Sequence, residues 1–228
     1  MPSQRVPYMN ATHRPKTVLV PRSDRGRASR ARLLSAAEES FGERGFAAAS
    51  VADIVRRAGL SQGSFYVYFP SKESIFGELI DDMAREIRRA TREAASATES
   101  RQEAEVAGAL AFFHWLQGHK HLHRVLHQID QVDETIAERF YSSIVSGYIS
   151  GLETGMGTGE IENTDPELLA YALMGISHFV SMRYVLWTDD EFPETFIDDF
   201  NRIIRNILGI KSPVSASSNR RPHTRSRP

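Results

Sequence analysis

Apolar residues recur every three or four positions along most of this 228-residue chain, and that spacing limits its fold more than any other feature. Such a period places the apolar side chains on one stripe of an α-helix. No stretch shows the sustained alternation and β-branched enrichment that indicate a strand. We therefore predict an all-α protein.

Capping and turn residues divide the first part of the chain. Gly45 ends the first predicted helix, and Ser50 with Asp53 forms a capping box at the start of the second. The segment Gly59–Ser61 is a three-residue turn, because glycine tolerates a left-handed backbone and serine caps the next helix. The predicted helices here span 29–44, 51–58, 62–69 and a long fourth helix from 72.

The second part of the chain is also predicted to be helical. Gly155, Gly157 and Gly159 indicate a flexible joint, and after it Asp165 caps a helix that has Pro166 in its first turn. The predicted helices span 101–118, 120–131, 133–156, 165–187 and 193–209.

The net charge of −1 hides an uneven distribution along the chain. Residues 1–33 hold eight Lys/Arg and one acid, and residues 211–228 hold five Lys/Arg and no acid. The stretch between them has 15 basic and 28 acidic residues. We expect residues 1–28 and 211–228 to be disordered basic arms when free, suited to a polyanion.

Several classes of protein are excluded by what the sequence lacks. Without cysteine there is no disulfide, thiolate metal site or cysteine nucleophile. No Gly-rich phosphate loop, nucleophile elbow or metal triad is present, so we predict neither an enzyme nor a cofactor. We see no secretory signal and no apolar run of bilayer-spanning length, and therefore predict a cytoplasmic protein that does not contact a membrane.

The histidines offer a metal site as an alternative. His123 and His127 have the i,i+4 spacing that can hold a metal on one helix face. No H-E-x-x-H arrangement accompanies them, and Lys120 and Arg124 repel a cation. We favour a polar helix junction and predict no metal.

Two short helices joined by a glycine-containing turn describe a helix-turn-helix. The second of them presents small or hydrogen-bonding side chains and no acid. An amide can read adenine in the major groove, and hydroxyl groups can reach bases or phosphates. Lys72, at the start of the next helix, is predicted to bind a phosphate.

The stretch S-V-A-D-I-V-R-R-A-G-L-S-Q-G-S-F-Y-V-Y-F-P-S-K-E-S-I-F, residues 50–76, resembles the N-terminal domain of the TetR/AcrR family of bacterial transcriptional repressors. The resemblance covers residues 29 to about 80. It implies a homodimeric repressor that binds a double-stranded, pseudo-palindromic DNA operator. It further implies a small-molecule effector held in a variable C-terminal domain.

The resemblance also assigns DNA-binding roles by position. It implies base contacts from Gln62, Gly63 and Ser64, and backbone contacts from Ser50, Tyr66, Tyr68 and Lys72. Ala52 stands where some members have a base-reading arginine, so we expect the first short helix to reach phosphate through Arg56 or Arg57 instead. The predicted DNA-binding set is Ser50, Arg56, Ser61, Gln62, Gly63, Ser64, Tyr66, Tyr68 and Lys72.

The basic segment before residue 29 is longer than this domain needs. We predict that it follows the minor groove, as homeodomain arms do. The arginines assigned to that contact are Arg22, Arg25, Arg27 and Arg30.

Aromatic residues are frequent in the second domain. Such stripes are usually core, but a helical bundle can also enclose a cavity lined by aromatic and a few polar groups. The pocket candidates are Phe113, Trp115, Gln128, Tyr148, His178 and Arg183. A structural salt bridge is an equal alternative for Arg183.

The last two helices are predicted to form the dimer surface. The interface candidates are Phe179, Phe196, Phe200, Ile203 and Ile207. Together these expectations divide the chain into a basic arm (1–28), a helix-turn-helix DNA-binding domain (29–75), a helical ligand-binding and dimerisation domain (76–210) and a basic tail (211–228). An alternative keeps the DNA-binding domain and makes the second domain a protein interaction module. The sequence does not identify the effector beyond an apolar or aromatic character.

Overall fold

The computed structural model of this chain describes residues 23–188 and 190–210. Every regular element in that part of the chain is helical, which confirms the predicted fold class. The chain divides into two compact units, residues 1–79 and residues 80–228.

The described part of the first unit, residues 23–79, is built from three helices and the start of a fourth. These are α1 (Asp24–Arg44), α2 (Val51–Ala58), α3 (Gln62–Tyr68) and the first turns of α4 (Lys72–Ser96). Its interior is rich in phenylalanine, and the rings of Phe41 and Phe76 meet edge to face with centroids 5.6 Å apart. The side chains that are at most 1% exposed include Leu33, Phe41, Ile54, Phe65, Phe69, Ile75 and Phe76.

Helix α1 begins five residues earlier than predicted. Ser23 caps it, accepting a hydrogen bond from the amide of Gly26 at 3.2 Å, and the acidic Asp24 occupies the first turn. The sequence reading stopped at residue 29 because the preceding turn contains no large apolar residue. A serine cap and an acid at the positive end of the helix are sufficient to start it there.

This earlier start corrects the predicted basic arm. Arg25 and Arg27 are exposed side chains on α1 rather than part of a disordered segment. Arg30 pairs with Glu78, and its guanidinium lies 5.4 Å from the ring centroid of Phe69. A minor-groove role for Arg30 is therefore wrong. Arg22 and the rest of the arm lie outside the described residues, as does the tail from residue 211.

Over its described residues, the second unit continues α4 and adds six further α-helices. They are α5 (Arg101–Gly118), α6 (Lys120–Leu126), α7 (Ile129–Val132), α8 (Glu134–Thr158), α9 (Pro166–Ser181) and α10 (Phe196–Ile207), with a π-helical segment (Met182–Leu186) directly after α9. The bounds of α5 are those predicted. The predicted helix over 120–131 is two helices, because the chain turns at His127 and Gln128.

The interior of the second unit joins α5, α8, α9 and α10. Phe113 on α5 packs against Phe200 on α10, with ring centroids 5.4 Å apart. Phe196, also on α10, stacks on Phe192 at 4.4 Å. Burial of these rings anchors α10 within the unit.

The glycines near residue 155 do not form the predicted joint. Helix α8 runs through Gly155 and Gly157 and ends at Gly159, whose φ of 78° is left-handed. Gly155 is buried, and a Cβ there would lie 2.7 Å from the side chain of Ile161. Close packing, rather than flexibility, explains the glycine at that position.

One segment, Pro166–Leu186, is long and apolar enough to cross a membrane by length and composition, with a mean hydropathy of 1.2. This segment contradicts the expectation from the sequence that the chain has no apolar run of bilayer-spanning length. A single segment of this kind is weak evidence, since a helix of a protein core can pass the same test. Only 33% of it is buried within the structure.

Candidate functional site

The helix-turn-helix is held by local capping contacts. The Ser50 hydroxyl accepts a hydrogen bond from the Asp53 amide at 3.1 Å, while the Asp53 carboxylate accepts one from the Ser50 amide at 3.3 Å. Gly59 ends α2 with φ 62° and ψ 39°. Ser61 then caps α3, accepting from the Ser64 amide at 3.2 Å. The predicted turn is confirmed.

An arginine from α1 closes the turn. The Arg32 guanidinium donates to the carbonyl oxygen of Ala58 and, at 3.3 Å, to that of Gly59. A Cβ at Gly59 would lie 2.7 Å from an Arg32 nitrogen. The left-handed backbone explains the glycine at this position, whereas the guanidinium, at the end of a flexible side chain, could shift to admit a Cβ.

The rotation of α3 is fixed by Phe65, whose side chain is fully buried. Because each helical residue advances by about 100°, Gly63 and Val67 lie on the side opposite Phe65. Tyr66 beside them is 57% exposed, and Val67 is 51% exposed. We call these three residues, Gly63, Tyr66 and Val67, the crest of α3. No residue of α3 is charged.

The predicted DNA-contacting residues of α3 differ in solvent exposure. Gln62 and Gly63 are exposed. Ser64 is half-buried, and its Oγ lies 2.9 Å from the Oγ of Ser61, which is itself exposed. Tyr68 is half-buried, on the side of α3 nearer Phe65.

Val67 was missed by the sequence analysis, which looked for hydrogen-bonding side chains. Its position two residues after a buried phenylalanine is the signal that could have found it. An exposed aliphatic group on such a helix can contact a thymine methyl group in the major groove.

Two arginines on α2 differ in availability. Arg56 is 70% exposed and pairs only locally with Asp53, at 2.5 Å. The hydrogen bond from Ser50, with a further one from Arg56, lowers the pKa of Asp53 to about 2. Arg57 instead holds Glu39 at 2.8 Å and Glu43 at 2.6 Å. Arg56 is therefore the better placed of the two for a phosphate contact.

Lys72 does not present its ammonium group as predicted. The Nζ donates to the carbonyl oxygens of Phe46 at 2.7 Å and Ala49 at 2.9 Å. It also lies 4.2 Å from the ring centroid of Phe46. Two of its three donors thus hold the segment after α1, and its role is structural in this geometry.

The second unit contains an apolar chamber of about 50 Å³. Tyr148 and His178 line it, as predicted for a pocket. The sequence analysis missed the other lining residues, which are Ile87, Thr91, Phe112, Leu126, Phe140, Tyr141, Ile144, Met174 and Ser177.

Two aromatic pocket candidates lie elsewhere. Phe113 is fully buried in the core, so the chamber is lined by its neighbour Phe112 instead. Trp115 stacks on His119 with ring centroids 4.2 Å apart. Adjacent positions on a helix point in different directions, and periodicity alone did not indicate which one faces the chamber.

The two predicted polar anchors other than Tyr148 and His178 are also misplaced. The Gln128 amide donates to the carbonyl oxygen of Arg124 at 2.8 Å. Arg183 is exposed, with its guanidinium 5.2 Å from the ring centroid of Tyr184. Neither residue lines the chamber.

Three histidines meet beside the chamber. The ring of His127 lies 5.1 Å from that of His123 and 4.9 Å from that of His178. Burial lowers the pKa of His123 to about 3, and burial also lowers the pKa values of the other two. All three are neutral near pH 7. Across the described ranges, no three His, Cys, Asp or Glu residues are arranged to hold a metal ion.

The predicted dimer surface is corrected by burial. Phe196 and Phe200 are 7% and 3% exposed and belong to the core of the second unit, so their assignment to an interface is wrong. Phe179 is 70% exposed and Ile203 48%, while Ile207 is half-buried. Other exposed large apolar residues of this unit were missed, namely Leu168, Tyr171, Trp187 and Ile197.

Comparison with known proteins matches the first unit by sequence. The family described as bacterial regulatory proteins, tetR family, matches residues 33–79. The chain is 52% identical over 67 residues to the HTH-type transcriptional regulator YdgC of Bacillus subtilis, covering 29% of this chain and 34% of that protein. It is 33% identical over 90 residues to EthR of Mycobacterium tuberculosis H37Rv, covering 39% of this chain and 42% of that protein.

Solved structures match most of the fold. A TetR-family regulator from Syntrophomonas wolfei aligns with a TM-score of 0.71 at 19% identity, covering 82% of this chain and 98% of that one. The FadR regulator of Bacillus subtilis, solved in complex with stearoyl-CoA, aligns with a TM-score of 0.66 at 19% identity, covering 78% and 96%.

The sequence matches span about a third of the length of the curated relatives, YdgC among them. Those relatives are transcriptional regulators and not enzymes. The matched segment contains the helix-turn-helix whose capping and packing are described above. On these grounds, residues 33–79 are similar to the DNA-binding segment of the tetR family of bacterial regulatory proteins, and most of the chain has the fold of solved TetR-family regulators.

Proposed function

We propose that this protein is a cytoplasmic repressor that binds a pseudo-palindromic DNA operator as a homodimer and responds to a small effector held in its second unit. The observation that carries the proposal is the crest of α3. Its residues are exposed on a short helix that is fixed from behind by a buried phenylalanine. An uncharged, solvent-facing helix of this size fits the major groove.

The proposed contacts with DNA are of two kinds, those to the edges of the bases and those to the phosphates. Gly63 allows the backbone to approach the bases closely, and Val67 offers a methyl surface to thymine. Gln62, exposed in the first turn of α3, offers an amide to adenine. Ser50, Tyr66 and Arg56 lie on exposed surface of the same unit and are proposed to contact phosphates.

A second copy of this chain is the proposed partner for the exposed side of α9. Leu168, Tyr171 and Phe179 follow one another at helical spacing, and they are 68%, 41% and 70% exposed. Gly175 lies in the same row, with open space where a Cβ would be. An uncovered apolar stripe of this kind is unusual on a monomer, and a two-fold interface would cover it on both copies.

The apolar chamber is the proposed effector site. Its 50 Å³ is less than a typical ligand pocket, so we propose that an effector displaces mobile side chains such as Met174 on entry. The effector and DNA would favour different spacings of the two recognition helices in the dimer. Their binding would then be reciprocally coupled, each weakening the other.

The test is a fluorescence anisotropy titration of the full-length protein with DNA from upstream of its own gene. Val67→Glu places a negative charge on the crest, and Ser35→Glu places the same charge at an exposed position in the middle of α1. We expect Val67→Glu to weaken binding by about 100-fold or more, because a buried carboxylate would face the DNA. Ser35→Glu should bind within about threefold of the unaltered protein.

Circular dichroism spectra of both variants control for folding. If Val67→Glu is folded and binds this DNA as tightly as Ser35→Glu does, the crest is not the DNA-reading surface. Binding of the unaltered protein that shows no preference for this DNA over an unrelated duplex would contradict sequence-specific repression.

A further inference from the structure

A second cavity adjoins the apolar chamber, and it is lined by arginines. It has a volume of about 250 Å³ and shares three lining residues, Thr91, Ile144 and Tyr148, with the chamber. We call it the arginine recess. Arg88, Arg92 and Arg101 contribute its positive charges, and Glu105 contributes its only carboxylate.

One of these arginines is neutralised within the recess. Arg101 pairs with Glu105, whose side chain is only 3% exposed. Arg101 compensates the buried negative charge of Glu105, because an unpaired charge in the interior would be costly.

Arg88 and Arg92 have no such partner. Within residues 23–188 and 190–210, no ion pair joins either of them to a carboxylate. The recess thus has two uncompensated positive charges. Residues 80–210 hold 11 Lys/Arg against 22 Asp/Glu, so these charges stand out against an acidic background.

The Arg88 guanidinium is held in place beside the chamber. One of its nitrogens donates to the Ser143 hydroxyl at 2.6 Å, and that hydroxyl donates to the carbonyl oxygen of Phe140 at 2.8 Å. Phe140 itself lines the chamber. A guanidinium has five N–H donors, so this contact leaves others for an anion.

Arg92 lies one helical turn after Arg88 on α4 and is exposed. Residues four apart share one face of a helix, so the two guanidinium groups can approach the same ligand. Planar guanidinium groups bind carboxylates and phosphates through paired hydrogen bonds.

We propose that the effector is an amphipathic anion, with its apolar part in the chamber and a carboxylate or phosphate held by Arg88 and Arg92 in the recess. This inference rests on the proposed effector site and adds the chemical class of the ligand. The two cavities together provide roughly 300 Å³, within the range of small-molecule sites.

The test uses three probes that share an eight-carbon chain and differ in the head group, namely octanoate, octyl phosphate and octanol. Isothermal titration calorimetry with the full-length protein measures each affinity. We expect at least one anion to bind about tenfold or more tightly than octanol, because hydrogen bonds to charged groups are strong. The preferred anion distinguishes a carboxylate from a phosphate ligand.

Arg88→Gln with Arg92→Gln should abolish that preference and retain octanol binding. Arg85→Gln with Arg89→Gln is the matched control, since both are exposed on α4 and line neither cavity. The control should keep the full preference. Arg92→Gln alone, at an exposed position, should reduce it if the double variant does not fold.

Equal binding of all three probes, or a preference that survives in both Arg92→Gln and the double variant, would overturn the inference. In that case octanol binding would still support the chamber as an effector site. If no probe binds, the inference also fails. The anisotropy titration measures DNA binding, so it tests the proposed DNA-binding function independently of these calorimetric results.

Discussion

The two units of this chain differ in how much internal space and exposed apolar surface they contain. In the described part of the first unit, residues 23–79, the large phenylalanines of the interior are buried, and the exposed large apolar residues are Tyr66 and Val67, both on the crest of α3. The second unit holds the chamber and the arginine recess, together with exposed apolar residues on α9 and α10. Residues 23–79 therefore concentrate their exposed large apolar surface on one helix, whereas the second unit leaves internal space and apolar surface that a ligand and a second copy would cover.

Two phenylalanines of the second unit should respond most differently to a charge. Phe200→Glu would bury an unpaired carboxylate in the core, at about 5 kcal/mol or more, and should unfold that unit. Phe179→Glu changes an exposed side chain, so the fold should persist while the proposed dimer dissociates. Light scattering and circular dichroism check both. A Phe179→Glu protein that remains dimeric at micromolar concentration would place the interface elsewhere.

Truncating one ring in each unit compares a filled interior with one that contains a void. Phe65→Ala should destabilise the first unit by roughly 3–5 kcal/mol, because a fully buried ring is lost. Phe112→Ala should cost the second unit only about 1–2 kcal/mol, because that ring is half-buried and lines the chamber.

The sequence provides a probe that separates the units. Both tryptophans, Trp115 and Trp187, lie in the second unit. In urea, Phe65→Ala should shift the circular dichroism transition while the tryptophan fluorescence transition moves little. Equal shifts of both signals would show that the two units unfold together.

Acid should destabilise the second unit before the first. Burial lowers the pKa of His123 to about 3 from its ordinary value of 6.5, so the unfolded chain binds a proton in that range and the folded chain does not. Stability is therefore lost as the pH falls from 6.5 towards 3. The pKa of Asp53 is lowered from 3.8 to about 2 by its hydrogen bond with Ser50, so its contribution is lost only below pH 3.8.

Tryptophan fluorescence during an acid titration should accordingly change at a higher pH than the helical signal of the first unit. His123→Phe removes the buried titrating group, and Ser181 keeps its hydrogen bond to the carbonyl oxygen of His178 at 2.7 Å. This variant should shift the fluorescence midpoint to lower pH. An unchanged midpoint would mean that His123 does not control acid stability.

Substitution of two glycines in the first unit should give the smallest changes in the free energy of unfolding, and these changes should have opposite signs. Gly59→Ala should destabilise by about 1–2 kcal/mol, because its φ of 62° is a left-handed conformation that strains any residue with a Cβ. Gly63→Ala should stabilise α3 by about 0.5–1 kcal/mol, since a Cβ there has only an ordinary contact at 3.7 Å. Urea titrations measure both. Stabilisation by Gly59→Ala would contradict the account of the turn.

How far the sequence predicted the structure depended on the range of the interactions involved. The turn between α2 and α3 was predictable because Ser50, Gly59 and Ser61 act on their own neighbours in the chain. The start of α1 was missed because its first turn has no apolar stripe. Lys72 was misassigned because its partners, Phe46 and Ala49, are more than 20 residues away.

The direction in which each side chain points was the second property that the sequence did not predict. A helical period identifies the apolar residues but not which of them meets a neighbouring helix. Phe112 rather than Phe113 lines the chamber, and Phe200 is core although Ile203 is exposed. The arginine recess combines residues of three helices, α4, α5 and α8, so no local motif indicated it.

The central claim is that the crest of α3 occupies the major groove. Dimethyl sulfate protection tests it directly, because this reagent methylates guanine N7 on the floor of that groove. On DNA upstream of its own gene, the unaltered protein should protect guanines in two symmetric half-sites whose centres are about 10 base pairs, or a multiple of that, apart. Val67→Glu should leave them reactive, and Ser35→Glu should protect them. Guanine N7 atoms that stay reactive beneath a tightly bound, unaltered protein would contradict the claim.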